Sequence, residues 1–347
     1  MRTYAREWRA AHEPAAQASG IATSPALAGF EPEQALTLAQ LAAFLRNPVK
    51  AFFRKRLLVN FAGEQEENSD DECFAVDALH EYSLIRALLD RALAQGAQQD
   101  SVPRALLQLR KAGELPLKGL GDFKQQALQE TLATMLHAWR EAEARFPEKA
   151  ERQSVRLQAD EVVLEDWIDH LRASDVSGTR QIAWLELEPG KLLEGGTKPV
   201  ARADKLSGPW IRSLAVAACG LSAQGVLVGR DGVVEINPVP EQQAKATLSM
   251  LLKLWLAGMN SPLPLPPKTA LALLADKNPL SQYEGDYQLR GDVEEASLAR
   301  VFPDYEALIA DGRFELLSQQ IYRAMLDWAA CYVSATFHAG EKQEDEA

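Results

Sequence analysis

The stretch Leu36 to Phe61, LTLAQLAAFLRNPVKAFFRKRLLVNF, constrains the fold more than any other part of the chain. Leu38, Leu41 and Leu45 recur at three- and four-residue spacing, which gathers them on one face of a helix. Thr37 stands where an N-cap belongs. Asn47-Pro48 must break that helix, because the residue before a proline is pushed out of the α region. Pro48 can open a second helix, where its fixed φ and missing N–H are harmless. Phe52, Phe53 and Leu57 give the second helix an apolar side, and Lys50, Arg54, Lys55 and Arg56 make the rest basic.

Beyond this pair the chain stays helical to about residue 146. Helices are expected over Phe74–Leu93, Pro103–Lys111 and Phe123–Phe146, with a turn at Gly119–Gly121. In the third, Leu128, Leu132, Met135 and Trp139 keep helical spacing and His137 reads as polar surface. After Pro147 the period changes. Val155–Ala173 alternates and then turns, and Gln181–Glu188, QIAWLELE, is a strand whose residues two apart share a face. Gly225–Val239 is a hairpin around Gly229-Arg230-Asp231-Gly232, preceded by a helix in Pro209–Cys219. Helices return at Glu241–Ala257, Val301–Ala310 and Phe314–Tyr332. The order predicts an α/β (mixed α+β) core, a β-meander with an inserted helix, inside a helical jacket.

Composition excludes little but is consistent with a globular protein. Of 347 residues 47% are apolar and 25% charged, ordinary values for a soluble domain. No run approaches the ~20 apolar residues of a membrane span, and MRTYAREWRAAHEP lacks the apolar stretch of a signal peptide, so a cytoplasmic location is expected. The net charge of −12 argues against an overall basic coat, although a local basic groove remains compatible with it. Much of the acid lies in Glu64–Glu72 and in the tail GEKQEDEA. Cys73, Cys219 and Cys331 are far apart and form no paired spacing, so neither a metal nor a cofactor is expected. No G-x-x-x-x-G-K-[ST] occurs, which leaves no P-loop.

With RNPVKAFFRKRL, RKAGELP, the meander and GRDGVVEINPV in hand, the chain resembles the C-terminal domain family of RecC, the gamma chain of exodeoxyribonuclease V. More distantly it is similar to AddB-like and CRISPR-associated exonuclease domains, many of which carry an iron–sulfur cysteine where this chain has Asn47. The resemblance implies a PD-(D/E)xK nuclease-like core. It further implies a linker or N-terminal extension at 1–35 belonging to a longer polypeptide. The domain itself would run over 36–335, with a helical part 36–146, a meander core 147–240 and a helical part 241–335. An acidic disordered tail at 336–347 would follow.

In that fold two acids hold Mg²⁺ at the scissile phosphate and a lysine two residues after the second acid helps orient the water. The resemblance places the first acid at Asp169, with Asp166 second, and the second acid at Glu186. Glu188 stands where the lysine belongs. Lys191 and the ARADK run, Ala201–Lys205, are weaker substitutes. The implied role is therefore a degenerate, non-catalytic site in a RecC-like subunit. Its partners would be DNA and the RecB-like and RecD-like helicase and nuclease subunits, and it would scaffold the motors and guide or split strands. The alternatives are an active metal-dependent exonuclease using Asp169, Glu186 and Glu188, and a plain protein-interaction module. Lys50, Arg54, Lys55 and Arg56 are the candidate DNA contacts; Trp167 and Trp210 read as core or as base-stacking residues.

Overall fold

The computed structural model describes residues 27–61, 78–94, 96, 101–112, 115, 118–176, 178–287 and 289–338. Cys73, the acidic run at 64–72 and the terminal segments lie outside the described residues.

Helix α1 (Leu38–Arg46) starts at a capping box: Gln40 N–H donates to the Thr37 hydroxyl, and Thr37 N–H donates to the Gln40 side chain. Leu41, Phe44 and Leu45 are buried from it. Helix α2 (Pro48–Arg56) follows at once, with Asn47 as its cap: the Asn47 Oδ1 accepts the Lys50 N–H at 2.8 Å. Helices α3 (Ala78–Ala94), α4 (Ser101–Lys111) and α5 (Lys118–Arg145) form a separate layer. The turn expected at Gly119–Gly121 is instead the start of α5. Gly121 is buried there, and the first turn of a helix has N–H groups without intrahelical partners in any case.

The sheet has six strands in the order β1 (Glu148–Lys149), β4 (Leu171–Val176), β5 (Thr179–Leu187), β8 (Ala223–Val228), β9 (Gly232–Ile236) and β10 (Val333–Phe337). Only β5 and β8 pair in parallel, Trp184 opposite Gly225 and Leu187 opposite Val228. A parallel pair needs a crossover, and helix α6 (Ser207–Ala218) supplies it. Between β5 and α6 the chain makes a small hairpin of β6 (Leu193–Glu194) and β7 (Val200–Ala201). Strands β2 (Gln153–Ala159) and β3 (Val162–Ile168) form a two-stranded ribbon, which Leu36 extends by exchanging backbone bonds with Val163 and Glu165.

The alternation of β5 divides the molecule. Ala183, Leu185 and Leu187 join Val226 and Val228 in a core shared with α3, α4 and α5. Trp184 faces the opposite, larger core with α1, α6 and α7 (Glu241–Asn260). The mixed sheet is thus a layer between helices, the α+β arrangement the residue pattern implies. The expected C-terminal helix is observed as Arg313–Leu317, a π-helical Ser318–Arg323 and Ala324–Tyr332. The chain then pairs β10 with β9 out to Phe337, within the segment expected to be tail.

Candidate functional site

A cleft of about 680 Å³ opens where β5 ends. Its walls come from α1 (Leu38, Ala42, Arg46), β3 (Asp166, Trp167), the end of β5 (Glu186, Glu188), Tyr82 of α3, and Asp204, Lys205 and Arg212 around the start of α6. Glu186 follows Trp184 by two residues and therefore shares its face.

Arg212 answers both. Its Nη1 donates to Glu186 at 2.8 Å, and its guanidinium lies 5.2 Å from the centre of the Trp184 ring. Glu186, the expected second acid, therefore has a cation of its own. Nothing in the motif pattern marked Arg212. The available signal was that it is the sole charged residue in the α6 sequence SGPWIRSLAVAA.

The three other acids that line the cleft are likewise engaged. Asp166 Oδ2 accepts the Leu38 N–H at 2.8 Å, and its Oδ1 accepts the Trp167 N–H at 2.8 Å. Glu188 accepts the Gly190 N–H at 3.3 Å and a hydrogen bond from Tyr82. Burial, then the Glu188 charge, raises the Tyr82 phenol above its ordinary value. Arg202 grips both Asp204 oxygens at 3.1 and 3.0 Å. Asp169 is exposed just after β3 and does not line the cleft. Lys191 is exposed outside the cleft lining.

These residues do not fit a catalytic Mg²⁺. Glu186 is ion-paired, both Asp166 oxygens hold backbone N–H groups, and Glu188 is taken up by the Gly190 N–H and the Tyr82 phenol. Among the described residues no three His, Cys, Asp or Glu side chains group closely enough to hold a metal ion. Asn47 is a helix cap, and its side chain also bonds Glu295.

The inner wall of the cleft is set by a buried carboxylate. Asp231, in the β8–β9 turn, accepts the Leu192 N–H at 2.8 Å and the Leu193 N–H at 3.0 Å. The neighbouring Arg230 N–H donates to the Gly190 oxygen at 3.1 Å, and its guanidinium pairs with Glu81 of α3 at 3.0 Å. Three elements thereby fix the loop that follows β5.

The basic helix α2 is used mostly for packing. Lys50 pairs with Glu295 at 3.7 Å. Lys55 donates to Gln40 and lies 5.4 Å from the Trp255 ring centre, with burial lowering its pKa. Arg56 donates to the Ala28 oxygen and covers the Phe30 ring at 5.4 Å. Arg54 is exposed. Trp210 is buried in the core, whereas Trp167 is 46% exposed with the Arg152 guanidinium 4.2 Å from its ring centre.

This geometry meets the comparison with known proteins at the same residues. The family model described as the RecC C-terminal domain matches residues 33–278, from the strand-like entry to α1 through β9, α7 and beyond. The chain belongs to that family. The RecBCD enzyme subunit RecC of Escherichia coli (strain K12) is 26% identical over 324 residues, which is 86% of this chain and 26% of that protein. The chain thus spans about a quarter of the length of this curated relative. The matched region contains every wall of the cleft, so the Arg212–Glu186 pair lies within the family domain.

Proposed function

We propose that this chain is the non-cutting C-terminal part of a RecC-type subunit of a helicase–nuclease, an exodeoxyribonuclease V, acting in the cytoplasm in double-strand break repair and recombination. It packs with RecB-like and RecD-like subunits and helps to guide or split DNA strands. Family membership and the similarity to a RecBCD subunit support the setting. The observation that carries the non-cutting role is Arg212 paired with Glu186 at 2.8 Å, where the nuclease fold needs a carboxylate free to ligate metal. A guanidinium has no acceptor capacity and stays charged, so it can neither hold the metal nor take a proton from water.

Among the described residues no helix is long and apolar enough to cross a membrane. The test is coexpression of the chain with RecB-like and RecD-like subunits from the same source. Copurification at stoichiometric yield is expected; a chain that elutes alone from all combinations contradicts the subunit role.

A further inference from the structure

Helices α4 and α5 bury one side in the core they share with α3 and leave apolar residues on the other. In α4, Val102, Ala105 and Leu106 are buried, whereas Leu107 is 51% exposed. In α5, Leu128, Leu132 and Met135 fill the core, yet Leu120 and Phe123, near its start, are 69% and 73% exposed. Leu120 and Phe123 are three residues apart and so share a face of their helix. An ion pair from Arg110 to Asp122 ties the end of α4 to the start of α5. Arg110 stands three residues beyond Leu107 on the same face, and Asp122 lies between Leu120 and Phe123 in the chain. That pair therefore brings the three apolar side chains to one surface. Single exposed apolar residues are ordinary, but several large ones together mark a contact surface.

The rim of this surface is basic. Arg104, Arg110 and Lys111 stand three before, three after and four after Leu107, the helical positions that flank it. Helix α4, SVPRALLQLRK, has no acidic residue. Asp122 is taken by Arg110. Arg104 and Lys111 are exposed and have no ion-paired or hydrogen-bonded side-chain partner among the described residues. Lys124, one residue past Phe123, is turned away to Glu81 of α3 at 2.6 Å. On a chain of net charge −12, this is a local surface whose unpaired charges are positive.

We infer that the α4–α5 surface docks an acidic amphipathic helix of a partner polypeptide. Its apolar residues, one helical turn apart, cover Leu107, Leu120 and Phe123, and Asp or Glu beside them meet Arg104 and Lys111. A pair of packed helices presents ridges and a furrow that a third helix fits, and the opposite charge at the rim steers and orients it. A second copy of this chain fits badly, because a two-fold contact would set the same cations against one another. DNA fits badly as well, since two of the three apolar side chains are leucines, which offer no ring for a base to stack on. The inference takes from the proposed function only that the chain works beside other polypeptides, and it says where one of them is held.

The test is fluorescence anisotropy of a labelled peptide of about 18 residues, five helical turns, with the whole 347-residue chain. The peptide carries Leu at helical one-face spacing and Glu or Ala elsewhere. A second peptide has the same composition with the spacing scrambled, and a third has Lys for every Glu. Binding of the first peptide alone, weakened by added salt, is expected. Leu120→Ser and Phe123→Ser should each weaken it about tenfold or more. Arg104→Glu and Lys111→Glu together should do the same and raise the affinity for the lysine peptide. Leu316→Ser, at a leucine 65% exposed in the helix Arg313–Leu317, should stay within about twofold.

No binding of the patterned peptide, equal binding of the scrambled one, or an equal loss in Leu316→Ser would overturn the surface. Leu120→Ser and Phe123→Ser variants that lose binding to oligothymidine or to phosphatidylglycerol vesicles, with peptide binding unchanged, would overturn the polypeptide partner. Failed peptide binding beside intact copurification with RecB-like and RecD-like subunits removes this surface and leaves the subunit role standing. Thermal melting of each variant separates loss of the surface from loss of the fold.

Discussion

The Arg212 guanidinium donates to Glu186 at 2.8 Å, from the crossover helix to the strand it follows. One side chain thus joins the two elements whose junction is the mouth of the cleft. Both partners are partly exposed, at 22% and 37%, so the pair is neither a loose surface contact nor a fully desolvated one. Arg212→Ala is expected to lower stability by about 1–2 kcal/mol, between the values for surface and buried pairs. A double-mutant cycle with Glu186→Ala, read by urea unfolding, should return a coupling of about 1 kcal/mol. Strict additivity would show that the two groups do not interact.

Asp231 should be far less forgiving. Its two oxygens serve two backbone N–H groups in a buried setting, and each orphaned N–H costs roughly 1–3 kcal/mol. Asp231→Ala is expected to cost about 2–5 kcal/mol, and Asp231→Asn about half of that, since the amide retains one acceptor. Equal denaturation midpoints for the two variants would contradict this.

Gly258 gives a sign reversal. Glycine in a helix ordinarily costs about 1 kcal/mol against alanine, so Gly→Ala is expected to stabilise. Here a Cβ would lie 2.5 Å from the Phe44 ring, across the α1–α7 contact. Gly258→Ala is therefore expected to destabilise by about 1–3 kcal/mol. Phe44→Leu, costly by itself, should recover part of the loss in the Gly258→Ala background. A more stable Gly258→Ala protein would refute the close approach.

Asp292 carries a pH dependence. Burial raises its pKa above the ordinary 3.8 even though Thr269 hydrogen-bonds it at 2.9 and 3.1 Å and Lys268 lies nearby. A carboxyl whose folded pKa is raised favours the fold in its neutral form. That contribution is full below pH 3.8 and is lost as pH rises through the folded pKa. Asp292→Asn mimics the neutral form, so it should gain on the parent protein as pH rises from below 3.8 to 7. Urea midpoints of both proteins across that range check it; a gap that shrinks or stays constant contradicts the raised pKa.

Local rules were enough for much of the fold. The Asn47-Pro48 break, the alternation of QIAWLELE and the GRDG hairpin follow from proline sterics, strand period and turn chemistry. What was illegible depended on distant partners. Strand β10 is five residues that follow a helix directly, and only its pairing with β9 defines it. In VVLEDWI both faces carry apolar residues, so the alternation could not say that Asp166 turns inward to cap Leu38 while Trp167 turns out. Glu186 and Glu188, singled out by the resemblance, line the cleft, whereas Asp169, one residue beyond β3, does not. Arg212 reaches Glu186 only because the crossover returns α6 over β5.

The central claim is that the cleft at the end of β5 does not cut. The most direct measurement is cleavage of single- and double-stranded DNA by the purified chain in Mg²⁺ and in Mn²⁺, beside a Glu186→Ala/Glu188→Ala control. No cleavage above the control is predicted with either metal. Metal-dependent cleavage that disappears in the control would mean that Glu186 leaves Arg212 to bind metal with Glu188 in the lysine's place, and would contradict the account.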